Sequence, residues 1–351
     1  MKTQLITMQK LLSMLWILAL AGPLADCLQA QDRVTPSKGT AAIGKIGEIQ
    51  PDQITINVRG KDQVYKTNEV VKVVFEGEPN NLDRARDFIN NRQFNLAESE
   101  LNKIDTAKIT DERIANDVLF YKGYAAARMS LAGTGDLRAA AKALSSAATA
   151  DPQSYHTYKN LELLGELATA LNLPEVATGY YRKLAAAPFP DIKALAFYKQ
   201  GEVDLSTNNT AGARKLFQQL TESTATDVEM IRLKNLAEVG LVICDARDGK
   251  SQEALTKLQE LVTKHDSSDQ ALFARIYNTQ GMCYLALGQP QQALLAYLRT
   301  DLLFSSSPEL HAEALYQLTQ LWPKVGQPQR STDARQRLTT LYPSSAWSNK
   351  Q

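Results

Sequence analysis

Histidines and cysteines are the side chains of this sequence that most readily bind a metal or act as acid and base, but their spacing does not group them. The histidines are His156, His265 and His311, and none has a partner at the spacing of a zinc motif such as HExxH. Catalytic histidines lie among groups that shift their pKa, and the sequence shows no such grouping. We therefore interpret all three as surface or helix-capping residues and expect no metal site and no cofactor.

Paired carboxylates could serve acid and base catalysis, and a glycine-rich loop could hold a phosphate. The pair Glu98 and Glu100 lies on a stretch typical of solvent-exposed helix. The same holds for Asp111 and Glu112. The sequence GTGD at residues 133–136 has no strand before it and no Lys-Ser or Lys-Thr after it, so it lacks the features of a phosphate-binding loop. We therefore predict that the protein is not an enzyme.

The start of the chain indicates export. Two lysines precede the apolar run LLSMLWILALAG, which suits a secretory signal and is too short to span a bilayer. Cleavage after Ala30 would remove residues 1–30 as a signal peptide and leave residues 31–37 as a linker. Cys27 follows the apolar run, but Asp26 stands where a lipoprotein signal requires a small residue. We therefore expect an exported protein of the periplasm or cell envelope, without a lipid anchor at Cys27.

Charge and cysteine content narrow the class of partner. Residues 1–30 carry two lysines and one aspartate, so the rest of the chain has 37 basic and 37 acidic side chains. This balance does not indicate a nucleic-acid-binding surface. Without residues 1–30 the cysteines are Cys244 and Cys283, both in apolar helical stretches. We expect two buried thiols rather than a disulfide.

A period of two in the apolar residues predicts a small β module at residues 38–78. Ile54, Ile56 and Val58 alternate with polar residues, and residues 60–62 have the composition of a turn. Four or five short strands are too few for a sandwich, so we expect a small barrel that closes its edges. The order of strands and turns resembles SH3-like and Sm-like barrels. We expect a cap for the helices that follow, with peptide binding at an open strand edge as the alternative.

Beyond the β module the apolar period becomes helical and the sequence repeats itself. Seven segments share an alanine followed four positions later by a large apolar residue on the same helix face. These alanines are Ala97, Ala140, Ala177, Ala213, Ala254, Ala293 and Ala334. Twelve positions earlier, Gly165, Gly201 and Gly281 predict first helices that cross the second helices closely, small residue against small residue. The sequence therefore predicts seven helix pairs.

These positions resemble the tetratricopeptide repeat, a helix–turn–helix unit of about 34 residues. The resemblance is clearest over Tyr277, Gly281 and Tyr297, and it extends over residues 79–347, with residues 348–351 as a tail. It departs in length, since the alanines are 36 to 43 residues apart. The expected fold class is mainly α, a tetratricopeptide-like α-solenoid of about seven helix pairs after a small β-barrel. The whole layout resembles exported bacterial tetratricopeptide-repeat proteins.

The resemblance implies a binding surface on the concave side of the array, which the first helices line. Residues that point away from the seam between paired helices are the candidates, because aromatic and arginine side chains are frequent at interface hot spots. They are Phe120, Tyr124, Arg128, Glu162, Glu166, Tyr198, Glu202, Arg275 and Asn278. The alternative is that many of them only pack against neighbouring repeats.

The resemblance also implies protein–protein binding and no reaction. We expect a non-enzymatic scaffold or adaptor whose partner is another protein or a peptide, with envelope association and without nucleic acid or a small-molecule cofactor. The alternative is an accessory domain of a cell-wall or glycan-processing system, with a site between the barrel and the array.

Overall fold

The computed structural model describes residues 31–225 and 227–350. This part of the chain begins with a five-stranded antiparallel sheet and continues with fourteen α-helices. The predicted signal peptide and Cys27 lie outside the described residues. No described helix is both long enough and apolar enough to cross a membrane.

The sheet arises from the period-two pattern. Its strands are β1 (Asp32–Pro36), β2 (Ala42–Ile49), β3 (Gln53–Val58), β4 (Lys61–Lys66) and β5 (Val70–Val74), in the order β4-β3-β2-β1-β5. Ile54 and Ile56 are buried, as the alternation predicted. The predicted linker at residues 31–37 is wrong, because β1 occupies it. Both carboxylate oxygens of Asp32 accept backbone N–H groups at 2.8 Å, which anchors this strand to β2 and to the end of β5.

The sheet is open, so the predicted closure into a barrel is wrong. β4 and β5 are its outer strands, and the described residues form no ladder between them. On the β5 side, Lys72 pairs with Asp83 and Asp87 of the first helix at 2.5 and 2.6 Å. The β4 edge faces solvent and carries charged residues, including Lys61 and Lys66. Charged side chains keep an exposed edge from pairing with other chains, so closure is not required.

The helices pair in chain order into seven repeats. Repeats 1 to 7 are α1 (Asn80–Asn90) with α2 (Phe94–Asn102), α3 (Glu112–Leu131) with α4 (Leu137–Ala150), α5 (Thr157–Ala170) with α6 (Pro174–Leu184), α7 (Pro190–Ser206) with α8 (Thr210–Thr221), α9 (Val228–Arg247) with α10 (Ser251–Lys264), α11 (Gln270–Ala286) with α12 (Pro290–Leu303), and α13 (Pro308–Lys324) with α14 (Pro328–Leu341). The seven alanines all lie on second helices and are at most 5% exposed. This confirms the predicted seven helix pairs.

In repeats 3, 4 and 6 the paired helices cross with a glycine against an aromatic ring, which differs from the predicted contact of two small residues. The pairs are Gly165 with Tyr181, Gly201 with Phe217, and Gly281 with Tyr297. A Cβ added at any of the three glycines would lie 2.4 or 2.5 Å from the ring. Phe217 also lies against Gly240 of α9, where an added Cβ would be 2.6 Å away. One ring therefore sets the spacing of repeats 4 and 5.

The array curves far enough for the segment after α14 to touch the loop of repeat 2. Ser344 Oγ, just after α14, donates to the carbonyl of Gly135, 3.0 Å away and 209 residues earlier. At Gly133 an added Cβ would lie 2.9 Å from the carbonyl oxygen of Leu341. The enlarged loop of repeat 2 thus seats the segment that follows α14. Ser348, assigned from the sequence to a tail, is buried in this segment.

Candidate functional site

The inner face of the curved array is defined by contacts between side chains of separate repeats. Arg275 of α11 pairs with Glu202 of α7, across the intervening repeat 5. Two side chains can meet across an intervening repeat only on the inside of a curve. The first helices therefore line the concave side, as the resemblance implied.

The concave side carries a continuous row of ion pairs. Arg128 of α3 donates to Glu166 of α5 at 2.8 Å. Lys199 of α7 lies 3.2 Å from Glu166 and 3.4 Å from Glu202, which in turn pairs with Arg275. Charges of alternating sign thus connect α3, α5, α7 and α11. We use the name concave network for Arg128, Lys159, Glu162, Glu166, Lys199, Glu202, Arg275, Glu309 and Glu313.

The first members of this network are strongly ionised. Burial acts to raise the pKa of Glu162, but the positive charges of Lys159 and Arg128 outweigh it and lower that pKa. For Lys199, burial acts to lower the pKa, and the carboxylates led by Glu202 raise it well above its usual value. This part of the groove is therefore built of fixed charges that are already paired with one another.

The two carboxylates on α13, those of Glu309 and Glu313, have pKa values shifted upward, opposite to that of Glu162. Burial raises the pKa of Glu309 and of Glu313, and the nearby Glu202 carboxylate raises that of Glu309 further. Glu309 is exposed to solvent and Glu313 is half-buried, so the groove walls reduce the hydration of the two carboxylates without enclosing them. Among the described residues neither carboxylate has a Lys or Arg nitrogen within 4.0 Å. This end of the network is negative.

The structure divides the nine residues predicted from the sequence into two groups. Those partly exposed on the inner face are Tyr124, Arg128, Glu162, Glu166, Glu202 and Arg275. Phe120, Tyr198 and Asn278 are only 4%, 4% and 3% exposed, so the expectation that they point outward is wrong for these three. Phe120 stacks on His156 with 3.6 Å between ring centroids. The Tyr198 hydroxyl donates to Glu202, and the Asn278 amide donates to a backbone carbonyl of α13.

Four charged residues of the network were not predicted. Lys159 and Lys199 each lie three positions before a predicted glutamate, a spacing that places both side chains on one helix face. That signal was available in the sequence. Glu309 and Glu313 had no such signal, because what marks them is the lack of a basic partner across the groove.

His156 is buried, so its interpretation as a surface residue is wrong, although it does lie at the N-cap position of α5. Its Nε2 lies 3.0 Å from Asp117, which also accepts from Arg86 at 2.6 Å and from the Tyr155 hydroxyl at 2.9 Å. Burial lowers the pKa of His156. The covered ring of Phe120 closes the cluster, which joins repeats 1, 2 and 3.

The other two histidines also have structural positions. His311 is buried between Asp301 and the Tyr342 hydroxyl, with both contacts at 2.7 Å. His265 is the C-cap residue of α10. No group of three or more metal-binding side chains is present in the described ranges.

The boundary between the sheet and the array is where the alternative function would place a site. Here Asn68 donates to the carboxylate of Asp191 at the start of α7, at 3.2 Å in an exposed contact. That alternative stays a prediction.

The two cysteines behave as expected. Cys244 and Cys283 are buried free thiols. Burial raises the pKa of Cys283 to about 11, so this thiol is protonated and unreactive at neutral pH.

Comparison with known proteins identifies the fold. No protein-family model and no curated protein matches the sequence. A tetratricopeptide repeat protein from Parabacteroides merdae is 18% identical, over 75% of this chain and 92% of that one, with a TM-score of 0.53. A Rap protein complexed with Competence and Sporulation Factor is 15% identical, over 77% and 76%, with a TM-score of 0.54. The apo quorum sensor NprR from B. thuringiensis is 11% identical, over 74% and 86%, with a TM-score of 0.52.

At these identities the likeness describes the fold and not the activity. The seven helix pairs and these similarities together show that the chain has a tetratricopeptide-like helical repeat fold, preceded by a five-stranded sheet.

Proposed function

We propose that the protein is a non-enzymatic scaffold or adaptor that binds a protein or peptide along the concave network. The observation that carries this proposal is the unbroken row of ion pairs on the inner faces of α3, α5, α7 and α11. Charges held in place before binding fix the register and choice of a partner more than they add affinity. A long concave surface of this kind suits an extended partner.

Aromatic rings below the arginines support the same proposal. The guanidinium of Arg128 lies 5.4 Å from the ring centre of Tyr124, and that of Arg275 lies 5.8 Å from the ring centre of Tyr198. Such contacts orient the guanidinium groups. Arginine, tyrosine and tryptophan are the residue types most often found at binding hot spots.

Two proteins of similar fold also support a peptide or protein partner. The Rap protein was solved in complex with Competence and Sporulation Factor, and NprR was solved in complex with its cognate peptide NprX. The proposal for the present chain is of the same general kind, with a different groove chemistry that its own residues define.

The test is affinity purification with the purified chain as bait. The double variant Arg128→Gln and Arg275→Gln removes two positive charges from the groove and keeps side chains of similar length. The matched control, Arg182→Ala with Lys215→Ala, removes two exposed positive charges from second helices. We expect the control to recover the same partner as the unsubstituted chain and the groove variant to recover at least about tenfold less, as for loss of roughly 1.4 kcal/mol or more.

Far-UV circular dichroism and thermal melting of the three proteins establish that each is folded. Equal recovery by a folded groove variant would contradict binding along the concave network.

We further propose that the protein works in the periplasm or cell envelope and that its open sheet is a cap for the helical array. The sequence of residues 1–30 supports export. The ion pairs of Lys72 with α1, and of Arg86 with Glu78 at 2.5 Å, support a cap fixed to the array. Cell fractionation with mass spectrometry tests export, and we expect a mature chain that begins at Gln31. A cytoplasmic chain that still carries residues 1–30 would contradict it.

A further inference from the structure

Three leucines of α12 are exposed on the outer face of repeat 6. Leu295, Leu302 and Leu303 are 58%, 71% and 61% exposed. They lie two, nine and ten positions after Ala293, the alanine that marks this repeat. At the equivalent positions the other six repeats have alanine, glycine, proline or a polar or charged residue, and never a large apolar one. The leucines are therefore a property of repeat 6 and not of the repeat pattern.

These leucines form one surface with a leucine of the next second helix. Leu295 and Leu302 are seven positions apart, so they share one side of α12. On α14, Leu341 is 44% exposed and lies one turn after Arg337. The guanidinium of Arg337 donates to Asp301, the residue before Leu302, at 2.6 and 2.8 Å. We use the name outer leucine patch for Leu295, Leu302, Leu303 and Leu341. Apolar surface gathered in this way marks an interaction site.

Positive charges accompany the patch. Arg299 is exposed between Leu295 and Leu302 on the same side of α12. Residues 324–350 carry five basic side chains and one acidic one, whereas residues 31–323 carry more acidic than basic ones. The excess of positive charge thus lies in repeat 7 and the segment after it, beside the leucines.

Charge and shape together select the occupant of the patch. A second copy of the chain would bring the same basic side chains against it, and facing like charges are unfavourable. Because α12 and α14 are second helices, the patch lies on the convex side of the array, where no groove is available to hold a protein segment. A lipid surface adapts to a convex face, takes up leucine side chains and offers phosphate groups to arginine.

We propose that the outer leucine patch binds a lipid surface that carries anionic headgroups. The leucines enter the boundary between headgroups and acyl chains, and Arg299 and Arg337 contact lipid phosphates. This inference goes beyond the proposed function, because it uses the side of the array opposite to the concave network. It leaves the groove facing away from the lipid and open to a partner.

The test is sedimentation of the protein with lipid vesicles. One set of vesicles contains phosphatidylglycerol and phosphatidylcholine in about equal amounts, and the other contains phosphatidylcholine alone. The chain used begins at Gln31, so that the apolar run within residues 1–30 cannot itself bind lipid. Circular dichroism and thermal melting establish that this chain and every variant are folded.

Two variants address the two parts of the patch. Leu302→Gln with Leu303→Gln removes the most exposed leucines, and its matched control is Leu173→Gln with Val176→Gln, which removes two apolar side chains of repeat 3 that are 45% and 47% exposed.

Arg299→Gln removes the charge within the patch, and its control is Arg182→Gln, which removes an exposed charge from α6.

We expect the unsubstituted chain to bind the anionic vesicles at least about tenfold more tightly than the phosphatidylcholine vesicles, because apolar insertion and charge attraction act together. We expect the double leucine variant to lose at least about tenfold in binding to the anionic vesicles, and Arg299→Gln to bind them more weakly. Both controls should bind as the unsubstituted chain does. Binding should weaken between about 0.1 M and about 1 M sodium chloride, since salt screens the exposed charges.

Four results would overturn the lipid site: no binding to the anionic vesicles, equal binding to the two kinds of vesicle, unchanged binding by the folded leucine variant, or an equal loss in its control. Analytical ultracentrifugation tests the second copy directly. A dimer of the unsubstituted chain that Leu302→Gln with Leu303→Gln abolishes would assign the patch to self-association instead. The groove test with Arg128→Gln and Arg275→Gln uses other residues, so the two proposals fail separately.

Discussion

At the scale of single residues, neighbouring charges determine whether a buried polar group is ionised. Asp117 is enclosed, which by itself raises its pKa, yet the charges of His156 and Arg86 lower it. A carboxylate in this position stays ionised because it has several hydrogen-bond donors at once. The result is a polar junction between repeats 1, 2 and 3 whose stability depends on the protonation state of its side chains.

His156→Gln is expected to reduce the loss of folding stability that the unsubstituted chain undergoes in mild acid. Burial holds the pKa of His156 below its ordinary value of 6.5, against the opposing effect of Asp117. The unfolded chain therefore binds this proton more readily, and stability falls as pH decreases below about 6.5 through the folded pKa. Glutamine can still donate to Asp117 but takes up no proton.

Urea unfolding at about pH 7.5 and about pH 5.5 measures this effect. The midpoint of the unsubstituted chain should fall more between the two pH values than that of His156→Gln. Parallel falls of the two proteins would show that His156 does not cause the acid sensitivity.

At the scale of the elements, the helix pairs of repeats 3, 4 and 6 each fit a glycine on one helix to an aromatic ring on the other. The ring fills the space that a side chain would take, and the two helix axes approach closely. Overpacking such a contact displaces one helix from the other and is destabilising.

Gly281→Ala and Gly179→Ala are expected to change stability in opposite directions. Alanine favours helix over glycine by about 1 kcal/mol, so propensity alone predicts a gain at both positions. At Gly179 in α6 an added Cβ has no atom within 4 Å, and the gain should be seen. At Gly281 the Cβ would lie 2.4 Å from the Tyr297 ring, and a net loss of about 1–3 kcal/mol is expected. Urea unfolding measures both, and a gain at Gly281 would refute the close crossing.

The helix pairs could be predicted from the sequence, but the side-chain contacts between the helices could not. Periodicity reports which face of a helix is buried, and so Ala97 and its six equivalents were placed correctly. Periodicity does not report which residue of the other helix lies opposite. The glycines were therefore predicted to contact small residues, whereas they face aromatic rings such as that of Tyr181. The pairing of Arg275 with Glu202 depends on the curvature of the whole array, which no local pattern records.

The same limit applies to the sheet. The alternation at Ile54 and Ile56 identified its buried face. Closure into a barrel depends on whether the outer strands have other partners, and β5 finds one in α1 through Lys72. The function proposed for the groove rests on geometry of this long-range kind.

At the scale of the whole molecule, the contact between repeat 2 and the segment after α14 distinguishes this array from an open solenoid. In a typical solenoid each repeat contacts only its neighbours. Here the carbonyl of Gly135 accepts from Ser344, so repeat 2 and the segment after α14 hold each other.

Gly133→Ala is expected to loosen the contact between the loop of repeat 2 and the segment after α14. Its φ of +94° and the nearby Leu341 carbonyl at 2.9 Å both oppose an added Cβ. Gly249→Ala is the control, because Gly249 has a similar φ of +86° and nothing within 4 Å. Both changes carry a backbone penalty of about 1–2 kcal/mol, but only Gly133→Ala displaces the C-terminal segment.

Hydrogen exchange followed by mass spectrometry measures the result. Residues 133–137 and 342–348 should exchange faster in Gly133→Ala than in Gly249→Ala. Identical exchange in the two variants would mean that the ends are held without this contact.

The closing contact also determines how the molecule responds to a pulling force. An array with free ends stretches like a spring, because every repeat carries the load in series. The hydrogen bond from Ser344 to Gly135 instead acts as a clasp in parallel with the repeats between them. Tension applied at the two chain termini would load the sheet and repeat 1 in series with the clasp, and we expect it to leave repeats 3 to 7 unloaded until the clasp opens. We therefore expect the groove to keep its width under small forces and to lengthen only after the clasp has opened.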